Sequence, residues 1–208
     1  MKSKKWVALF LLVAIAPNVA VFAKSNAMKE MYDNVVAGFN GAPALSSHVV
    51  QAVGTIEVAF SPNSGGTEAV VRAIGEARRS ILVQAYSFTS APIAKSLVEA
   101  KARGVDVQVV MDKSQKSEKY TSASYIANHD IPVRIDAQHA IAHNKIIICD
   151  ELNVVTGSFN FTKAAEEKNA ENVLVLRGNE ALAKLYVKNW RAHWDHSQEY
   201  EYRSRTSN

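Results

Sequence analysis

The sequence predicts an α/β protein with a mixed, largely parallel β-sheet flanked by helices. Three observations support this fold class. From residue 55 onward, short β-rich apolar runs alternate with helical patterns. A helical pattern ends at Gly104, a usual C-terminal signal, just before the next β-rich run. Two strand–helix–strand units in succession favour parallel strands joined by right-handed crossovers.

Local patterns predict the elements in chain order. Thr55–Ser61 alternates apolar and polar residues, which predicts a strand. Thr67–Ala77 has helical spacing, and Glu180–His196 carries an amphipathic stripe. Asp150-Glu151 separates two β-rich runs and predicts a hairpin. The other predicted strands and helices are Ser80–Phe88, Pro92–Arg103, Val105–Asp112, Ser122–Asn128, Pro132–Ile135, Asn144–Cys149, Leu152–Thr156 and Asn172–Leu176.

The N-terminus has the composition of a secretory signal peptide. Three lysines precede an apolar run at residues 6–16 and an alanine-rich stretch that ends at Ala23. Because the apolar run is about half of the roughly 20 residues that a membrane span needs, residues 1–23 are interpreted as a cleaved signal. Ala20 and Ala27 are alternative cleavage sites, and an uncleaved anchor is the alternative interpretation.

The rest of the chain divides into an extension or linker at residues 24–54, a folded domain at 55–202 and a C-terminal tail at 203–208. Loss of the signal lowers the formal net charge from +4 to +1 by removing three lysines. Any attraction to nucleic acid must therefore come from a local basic patch. The single cysteine, Cys149, excludes an intrachain disulfide and is predicted to be buried, with an intermolecular disulfide as the alternative.

The most informative segment is His143–Asp150, which fits H-x-K-x4-D and is followed by G-S-x-N at residues 157–160. Because side chains alternate along a strand, His143 and Lys145 are predicted on one face and Asp150 on the other. Ser158 and Asn160 project together if their stretch is extended. Asp150 is therefore interpreted as structural, with a cation as its expected partner.

These residue types suit a phosphodiester. A neutral imidazole is a good nucleophile toward phosphorus and leaves again from a phosphohistidine. A lysine ammonium stabilises charge on the non-bridging oxygens, and Ser and Asn side chains donate further hydrogen bonds to them. The segment lacks an acidic cluster of the two-metal type, so it predicts chemistry with no metal and no cofactor.

The combined signature resembles the phospholipase D superfamily, and within it the small bacterial endonucleases that carry one motif per chain. The resemblance covers about residues 55–202 and includes Glu171-Asn172 and the stretches at residues 84–89 and 104–107. The extension at residues 24–54 departs from it, because a minimal member would not need this segment.

The resemblance implies a phospholipase D-like fold and a role for each motif residue. His143 is implied to be the nucleophile, and Glu171 to hydrogen-bond this histidine and fix its tautomer. Asp150 is implied to be a structural member of the motif. The implied phosphate-binding residues are Lys145, Ser158 and Asn160.

One motif per chain predicts a homodimer. A single histidine cannot both attack phosphorus and protonate the leaving oxygen on the opposite side. None of the other histidines is followed two residues later by lysine; these are His48, His129, His139, His193 and His196. The economical solution is a two-fold dimer that brings two copies of His143 together.

Other histidines are interpreted as structural. His139 and His143 are four residues apart and could ligate zinc on a helix, but the flanking isoleucines favour an extended chain. His193 and His196 are interpreted as a solvated helix end.

Two further groups of residues are not assigned to the site. Trp190 and Trp194 are interpreted as core residues. The lysines of residues 113–119 either line a substrate groove or belong to a solvated loop.

The implied function is a metal-independent phosphodiesterase, an endonuclease that hydrolyses DNA, with RNA as a further substrate, through a covalent phosphohistidine. The alternatives are a phospholipase D-type lipid phosphodiesterase and a catalytically inactive nucleic-acid-binding protein. The expected partners are nucleic acid and a second copy of the chain, with no stable membrane association after signal cleavage. The expected location is the bacterial periplasm or the medium.

Overall fold

The computed structural model describes residues 47–118 and 121–201. The predicted signal peptide, residues 24–46 of the predicted extension and the predicted tail lie outside the described residues. The helices and strands given below all lie within the compact unit that begins at Val50. In the described ranges, no helix combines the length and the apolar character that a bilayer span requires.

The predicted elements are present, with boundaries that shift by a few residues. The strands are β1 (Thr55–Ser61), β2 (Ser80–Ala85), β3 (Asp106–Asp112), β4 (Val133–Asp136), β5 (Lys145–Cys149), β6 (Asn153–Gly157), β7 (Glu171–Arg177) and β8 (Gln198–Glu199). The helices are α1 (Gly66–Glu76), α2 (Ala91–Ala102), α3 (Ala123–Ala127), α4 (Lys163–Glu167) and α5 (Glu180–His196), with a 3-10 turn at Lys113–Lys116. Helix α4 and strand β8 were not predicted from the sequence.

All eight strands form one sheet in the order β1-β7-β6-β5-β2-β3-β4-β8. The expectation of a largely parallel sheet is wrong. In the described part of the chain, five of the seven strand pairings are antiparallel, and only β2–β3 and β3–β4 are parallel. The first strand–helix–strand unit does not produce neighbouring strands, because β7, β6 and β5 lie between β1 and β2.

The predicted hairpin explains part of this antiparallel pairing. Asp150 and Glu151 have φ values of 58° and 54°, and Leu152 donates its N–H to the Cys149 carbonyl at 3.1 Å. Positive φ at both central residues is the geometry of a type I′ turn, which matches the twist of the two strands it joins. This turn fixes β5 and β6 as antiparallel neighbours.

Helices cover the sheet unequally. Helices α1, α2 and α3 pack on one face, where alternate strand residues such as Val83, Val109 and Ile147 are fully buried. Helix α5 packs on the opposite face against Leu82, Val110, Ile146, Ile148 and Val154. Strands β2 and β5 are therefore buried on both sides, which is why they are continuous apolar runs.

Of the two tryptophans predicted as core residues, Trp190 is confirmed and Trp194 is half-buried beside it. Trp190 is buried in α5, donates its indole N–H to the Val83 carbonyl at 2.8 Å and stacks on Trp194 at 4.9 Å. Cys149 is a free, buried thiol, and burial raises its pKa to about 12. A neutral core thiol is the state that its sequence context predicted.

Candidate active site

One edge of the sheet collects the residues of the two motifs. Strands β2, β3, β4 and β6 end on the same side of the sheet on which β5 and β7 begin. The loops at these strand ends therefore lie side by side, and this row of strand ends is the edge described below. The register places Lys145 opposite Ala85 at the end of β2, and Gly157 opposite Val173 near the start of β7. The fold therefore brings residues 143–145, 157–160 and 171 together from three strand ends.

His143 is exposed just before β5 and lies against an aromatic ring. Its imidazole and the phenol ring of Tyr86 have centroids 4.6 Å apart, and the backbone N–H of Tyr86 donates to the Asn144 carbonyl at 2.9 Å. The Lys145 Nζ donates to the His143 carbonyl at 2.8 Å and lies 5.1 Å from the Tyr86 ring centroid. The predicted pairing of His143 with Lys145 on one side of the chain is thus observed.

Lys145 is a buried cation, with only 7% of its surface exposed. Burial lowers the pKa of its ammonium from the ordinary value, and the nearby negative charge of Glu171 partly opposes this shift. One of its three N–H groups holds the His143 backbone, which leaves the others for an anionic oxygen. A partly desolvated ammonium interacts more strongly with phosphate than one in water.

The G-S-x-N stretch leaves β6 after Gly157 and bends at Ser158, so it is not fully extended, although its side chains still alternate between the core and the surface. Phe159 and Phe161 point into the core and are almost fully buried, whereas Ser158 is exposed and Asn160 is half-buried. The backbone N–H groups of Ser158 and Phe159 both donate to the Asn172 carbonyl, at 3.1 and 3.2 Å. The Asn160 Oδ1 is buried and has no hydrogen-bond partner among the described residues. This amide is therefore not fully committed to the protein's own contacts.

Gly157 permits this close approach of β6 to β7. Its φ is 152°, and a Cβ at this position would lie 2.2 Å from the Asn172 carbonyl oxygen. No side chain fits there unless β7 moves. The glycine of G-S-x-N therefore sets the distance between the strand that presents Ser158 and the strand that begins at Glu171.

Glu171 does not make the contact that the resemblance implied. Its Oε2 accepts from the Ser158 hydroxyl at 2.6 Å and its Oε1 accepts from the Asn169 amide at 3.0 Å. Within the described residues, no hydrogen bond joins it to His143. The expectation that Glu171 orients the histidine is corrected accordingly: both carboxylate oxygens are occupied by its own strand-end neighbours, and it orients Ser158.

Asp150 lies at the opposite edge of the sheet. Its carboxylate accepts the backbone N–H groups of Arg78, Arg79 and Ser80 at 2.7–3.2 Å. Burial raises its pKa, but these hydrogen bonds more than offset burial and the pKa is lowered. This position agrees with the structural interpretation of Asp150. The expected partner was a cation, but the carboxylate is held by backbone N–H groups.

The structure contradicts the interpretation of His193 and His196 as a solvated helix end. His193 is buried, and its Nδ1 lies 2.7 Å from the Oδ2 of fully buried Asp136. His139 Nδ1 approaches the same oxygen at 3.0 Å and His196 Nε2 at 3.2 Å. Asp136 would titrate at a higher pKa through burial alone, but its contacts with His193 and His196 hold the pKa below the ordinary value. Sequence reasoning missed this group because Asp136 lies 57 residues from His193.

The lysines after β3 have different roles. Lys113 donates to the His139 carbonyl at 3.0 Å, so it supports the loop that leads to His143. Lys116 is exposed at the same edge, and Lys119 lies outside the described residues. Sequence reasoning also did not single out Tyr86, although it follows the last residue of β2 and therefore had to emerge beside β5.

The arrangement combines an exposed imidazole with a buried ammonium and two polar side chains at one open edge. The imidazole is accessible to an incoming phosphorus atom. The ammonium and the Ser158 and Asn160 side chains lie where they can bind non-bridging oxygens. These are the requirements of nucleophilic displacement at a phosphodiester.

Comparison with known proteins agrees with this chemistry. The family described as "Cardiolipin synthase, PLD-like domain" matches residues 70–194. A Rickettsia bellii protein named phospholipase D is 34% identical over 191 residues, which is 91% of this chain and 94% of the relative. A Rickettsia conorii protein of the same name is 42% identical over 135 residues, which is 65% of this chain and 67% of the relative.

A solved structure is similar over its whole length. The crystal structure of Nuc from Salmonella typhimurium, a phospholipase D family member, has 42% sequence identity and a TM-score of 0.69. The match covers 71% of this chain and 99% of that chain. The motif residues, the eight-stranded sheet and these similarities lead to one conclusion: the chain belongs to the phospholipase D superfamily of phosphodiesterases.

Proposed function

We propose that this chain is a metal-independent nuclease that hydrolyses nucleic-acid phosphodiester bonds through a covalent phosphohistidine at His143. The observation that carries the proposal is the accessible His143 ring, held beside Tyr86 while the Lys145 ammonium binds the His143 carbonyl. The hydrogen bond from Lys145 fixes the backbone of His143 and so orients its imidazole, while the ring nitrogens stay accessible. Preorganisation of this kind lowers the barrier because the geometry is set before the substrate binds.

In the first step, a neutral imidazole nitrogen of His143 forms a bond to phosphorus and the phosphorus–oxygen bond to the leaving group breaks. The departing oxygen takes a proton from an acid on the opposite side. Lys145, Ser158 and Asn160 bind the non-bridging oxygens, whose charge grows in the transition state. In the second step, the group that acted as the acid has lost its proton and acts as the base. It takes a proton from a water molecule, whose oxygen attacks phosphorus and displaces the His143 nitrogen.

The acid in this scheme is a second copy of His143, supplied by a homodimer. Edge strand β1 supports this part of the proposal, because Ile56, Val58 and Phe60 are each more than half exposed on one face. Phe60 is in register with Asn172, whose amide donates to Ser158 Oγ at 3.3 Å. This apolar stripe therefore runs to the edge that carries the motif and is available to a second copy.

Two observations support nucleic acid as the substrate. His143 and Ser158 are exposed at an open edge, which suits the extended backbone of a polymer. Lys116 and Lys168 are exposed in loops at the same edge and supply local positive charge despite the low overall charge. Nuc is matched over 99% of its length by 71% of this chain, so the predicted catalytic domain is about the size of that whole protein, which supports a similar activity.

Lipid is the second candidate substrate, and a specific residue favours it. Ile141, two residues before His143, is apolar and more than half exposed. The Rickettsia relatives are named phospholipase D. An exposed isoleucine beside the nucleophile suits contact with acyl chains, and the headgroup phosphodiester would undergo the same displacement.

Substrate assays separate these candidates from each other and from a catalytically inactive binding protein. The full mature chain is incubated with plasmid DNA, with RNA and with phosphatidylcholine or cardiolipin vesicles, at a temperature well below its melting temperature and with excess EDTA. The proposal expects nucleic-acid cleavage that persists in EDTA and is lost in His143→Ala. Cleavage of lipid alone would replace the nuclease by the second candidate, and equal activity of His143→Ala would refute both.

The dimer and the export of the chain remain part of the proposal. Sedimentation combined with activity measurements tests the dimer, because specific activity is expected to fall on dilution as the monomer appears. An active monomer would contradict it. Export to the periplasm or medium is tested by fractionating cells that produce the full chain.

A further inference from the structure

Three histidines and one aspartate converge at the end of β4, apart from the motif residues. Asp136 is fully buried and ends β4, and His139 follows three residues later. His193 and His196 lie in the last turn of α5. The four donor atoms, one from each residue, lie within 4.8 Å of one another. Within residues 47–118 and 121–201, these are the histidine and acidic side chains that come close enough together to hold a metal ion.

The hydrogen bonds of the group leave one nitrogen poorly satisfied. Three ring nitrogens approach the same oxygen, Asp136 Oδ2, at 2.7, 3.0 and 3.2 Å. The His196 Nε2 is buried and, despite its 3.2 Å distance, is not aligned for a hydrogen bond. A carboxylate oxygen accommodates about two well-oriented hydrogen-bond donors, so a third ring nitrogen held close to it without a hydrogen bond indicates a different common partner. A cation at the centre could be bound by all four residues, through three ring nitrogens and one carboxylate oxygen.

The donor set and spacing fit zinc. A tetrahedral Zn²⁺ with bonds of about 2.0–2.1 Å places its ligand atoms about 3.3 Å apart. The three nitrogen–oxygen distances, 2.7, 3.0 and 3.2 Å, are shorter than this, while separations within the whole group extend up to 4.8 Å, so side-chain rotations would have to draw the imidazoles around the ion. Mg²⁺ and Ca²⁺ prefer oxygen ligands, so a set of three imidazoles and one carboxylate selects against them.

We propose that Asp136, His139, His193 and His196 form a structural zinc site. Four protein ligands complete a tetrahedral shell and leave no position for a substrate, which distinguishes a structural from a catalytic zinc. The ion would fasten the end of β4 and the following loop to the C-terminal turn of α5. Nothing in this site takes part in the displacement at phosphorus, so it is independent of the proposed nuclease mechanism.

The site would act on the nucleophile through the chain. His139 precedes His143 by four residues, and the intervening loop is already held by Lys113, which donates to the His139 carbonyl, and by Asp112, whose Oδ2 accepts from the Ala142 N–H at 2.7 Å. A zinc ion at His139 would add the strongest constraint on this loop. The expected consequence is a higher melting temperature and a fixed start of β5.

The test uses zinc alone with untagged full mature chain, so that no purification histidines compete. Protein dialysed against a chelator is titrated with Zn²⁺ and followed by calorimetry and thermal unfolding. The proposal expects one zinc per chain and a melting temperature raised by about 8–16 °C at free zinc near a thousand times Kd. Mg²⁺ and Ca²⁺ are expected to leave the melting temperature unchanged. A zinc dissociation constant above about 10 μM, which a weak surface site would also give, would overturn the proposal.

Variants assign the ligands. His139→Ala is the first choice because its side chain is the most exposed of the three histidines, at 47%, and its loss threatens the fold least. Its zinc affinity is expected to fall at least about 100-fold. The matched control is His129→Ala, an exposed histidine at the end of α3 whose Nδ1 contacts the Tyr125 carbonyl; it is expected to bind zinc as the parent does. Unchanged affinity in His139→Ala would refute the assignment.

A spectroscopic measurement covers the case in which the variant fails to fold. X-ray absorption of the zinc-loaded parent chain is expected to show three imidazole nitrogens and one oxygen at about 2.0–2.1 Å. A shell of water oxygens, or one with a sulfur ligand from Cys149, would contradict the site. Activity in EDTA well below the melting temperature is expected to persist, since the ion only stabilises the loop.

Discussion

A single histidine and a group of three histidines lie at the same edge of the sheet, and their ring nitrogens have opposite surroundings. His143 is exposed, stacks on Tyr86 and makes no ion pair with a carboxylate among the described residues. The rings of His139, His193 and His196 surround the buried Asp136 carboxylate. A nucleophile must keep its nitrogen free, whereas a structural histidine must have its nitrogen engaged. The partners of the ring nitrogens, rather than residue type or exposure alone, therefore separate a reactive histidine from a supporting one, since His139 is also exposed.

The largest expected effect tests the reactive side of this comparison. His143→Ala removes the nucleophile and is expected to lower phosphodiester cleavage by roughly 10³-fold or more. Because the ring is exposed, the melting temperature should change little. Initial rates on the preferred substrate and a thermal melt measure the two effects. His129→Ala, on an exposed ring outside both groups, serves as the control and should leave the rate unchanged. A His143→Ala protein that retains the parent rate would contradict the claim that His143 is the reactive histidine.

Replacing Lys145 has the next largest expected effect. Lys145→Met keeps much of the buried stem but removes the ammonium, so loss of charge stabilisation is expected to lower kcat by about 10²–10³-fold. Lys145→Arg is expected to rescue little, since the broad guanidinium does not fit a site with 7% exposure between the His143 carbonyl and Tyr86. Steady-state kinetics measure both variants. Full activity in Lys145→Met would show that this ammonium does not bind the reacting phosphate.

Gly157 tests whether the strand spacing holds the motif in place. Gly157→Ala forces a methyl group against the Asn172 carbonyl and is expected to lower the free energy of unfolding by about 2–3 kcal/mol. Gly75→Ala is the matched control, because a Cβ there meets no atom within 4 Å and Gly75 lies in the last turn of α1, where alanine is a better helix former than glycine. Urea denaturation compares the two. Equal stability of both variants would mean that β7 yields easily and that the close approach does not fix Ser158.

Asp150 has the smallest expected effect and separates motif membership from catalysis. Asp150→Asn weakens contacts with three backbone N–H groups and is expected to lower stability by about 1–2 kcal/mol, with unchanged kcat. The pKa of Asp150 is lowered in the folded chain, so its charge-dependent stability is present above the unfolded pKa near 3.8 and is lost as the pH falls through the folded pKa.

The difference in stability between the parent and Asp150→Asn should accordingly be largest near neutral pH and shrink below pH 3.8. Urea denaturation at several pH values measures it. A lowered kcat at full stability would contradict the structural role, because Asp150 lies at the edge opposite His143.

Local sequence patterns predicted the elements well and the strand order poorly. Thr55–Ser61 and Glu180–His196 have the predicted boundaries, because alternation and amphipathic spacing are local properties. Ile146–Ile148 is buried on both faces, and such a run looks alike in parallel and antiparallel pairs. The pairing of Thr55 with Arg177 depends on closing a long loop, for which no local signal exists.

Distance along the chain explains why the motif residues could be predicted from the sequence and the histidine group could not. His143, Lys145, Ser158 and Asn160 lie within 18 residues, on or next to the facing ends of two strands that one hairpin joins, so alternation and the hairpin together place them close. Asp136 and His193 meet only because α5 returns across the sheet and anchors Trp190 on the Val83 carbonyl. The contact of Glu171 with Ser158 was also missed, since it depends on side-chain torsions at the start of β7.

Trapping the covalent intermediate tests the central claim most directly. The enzyme is mixed with excess substrate in EDTA, quenched within one turnover in alkali, which preserves a phosphorus–nitrogen bond, and digested for mass spectrometry. The account predicts a phosphoryl-linked substrate fragment on the peptide that contains His143, absent from His143→Ala. Cleavage that proceeds with no adduct on His143, or with the adduct on another residue, would contradict it.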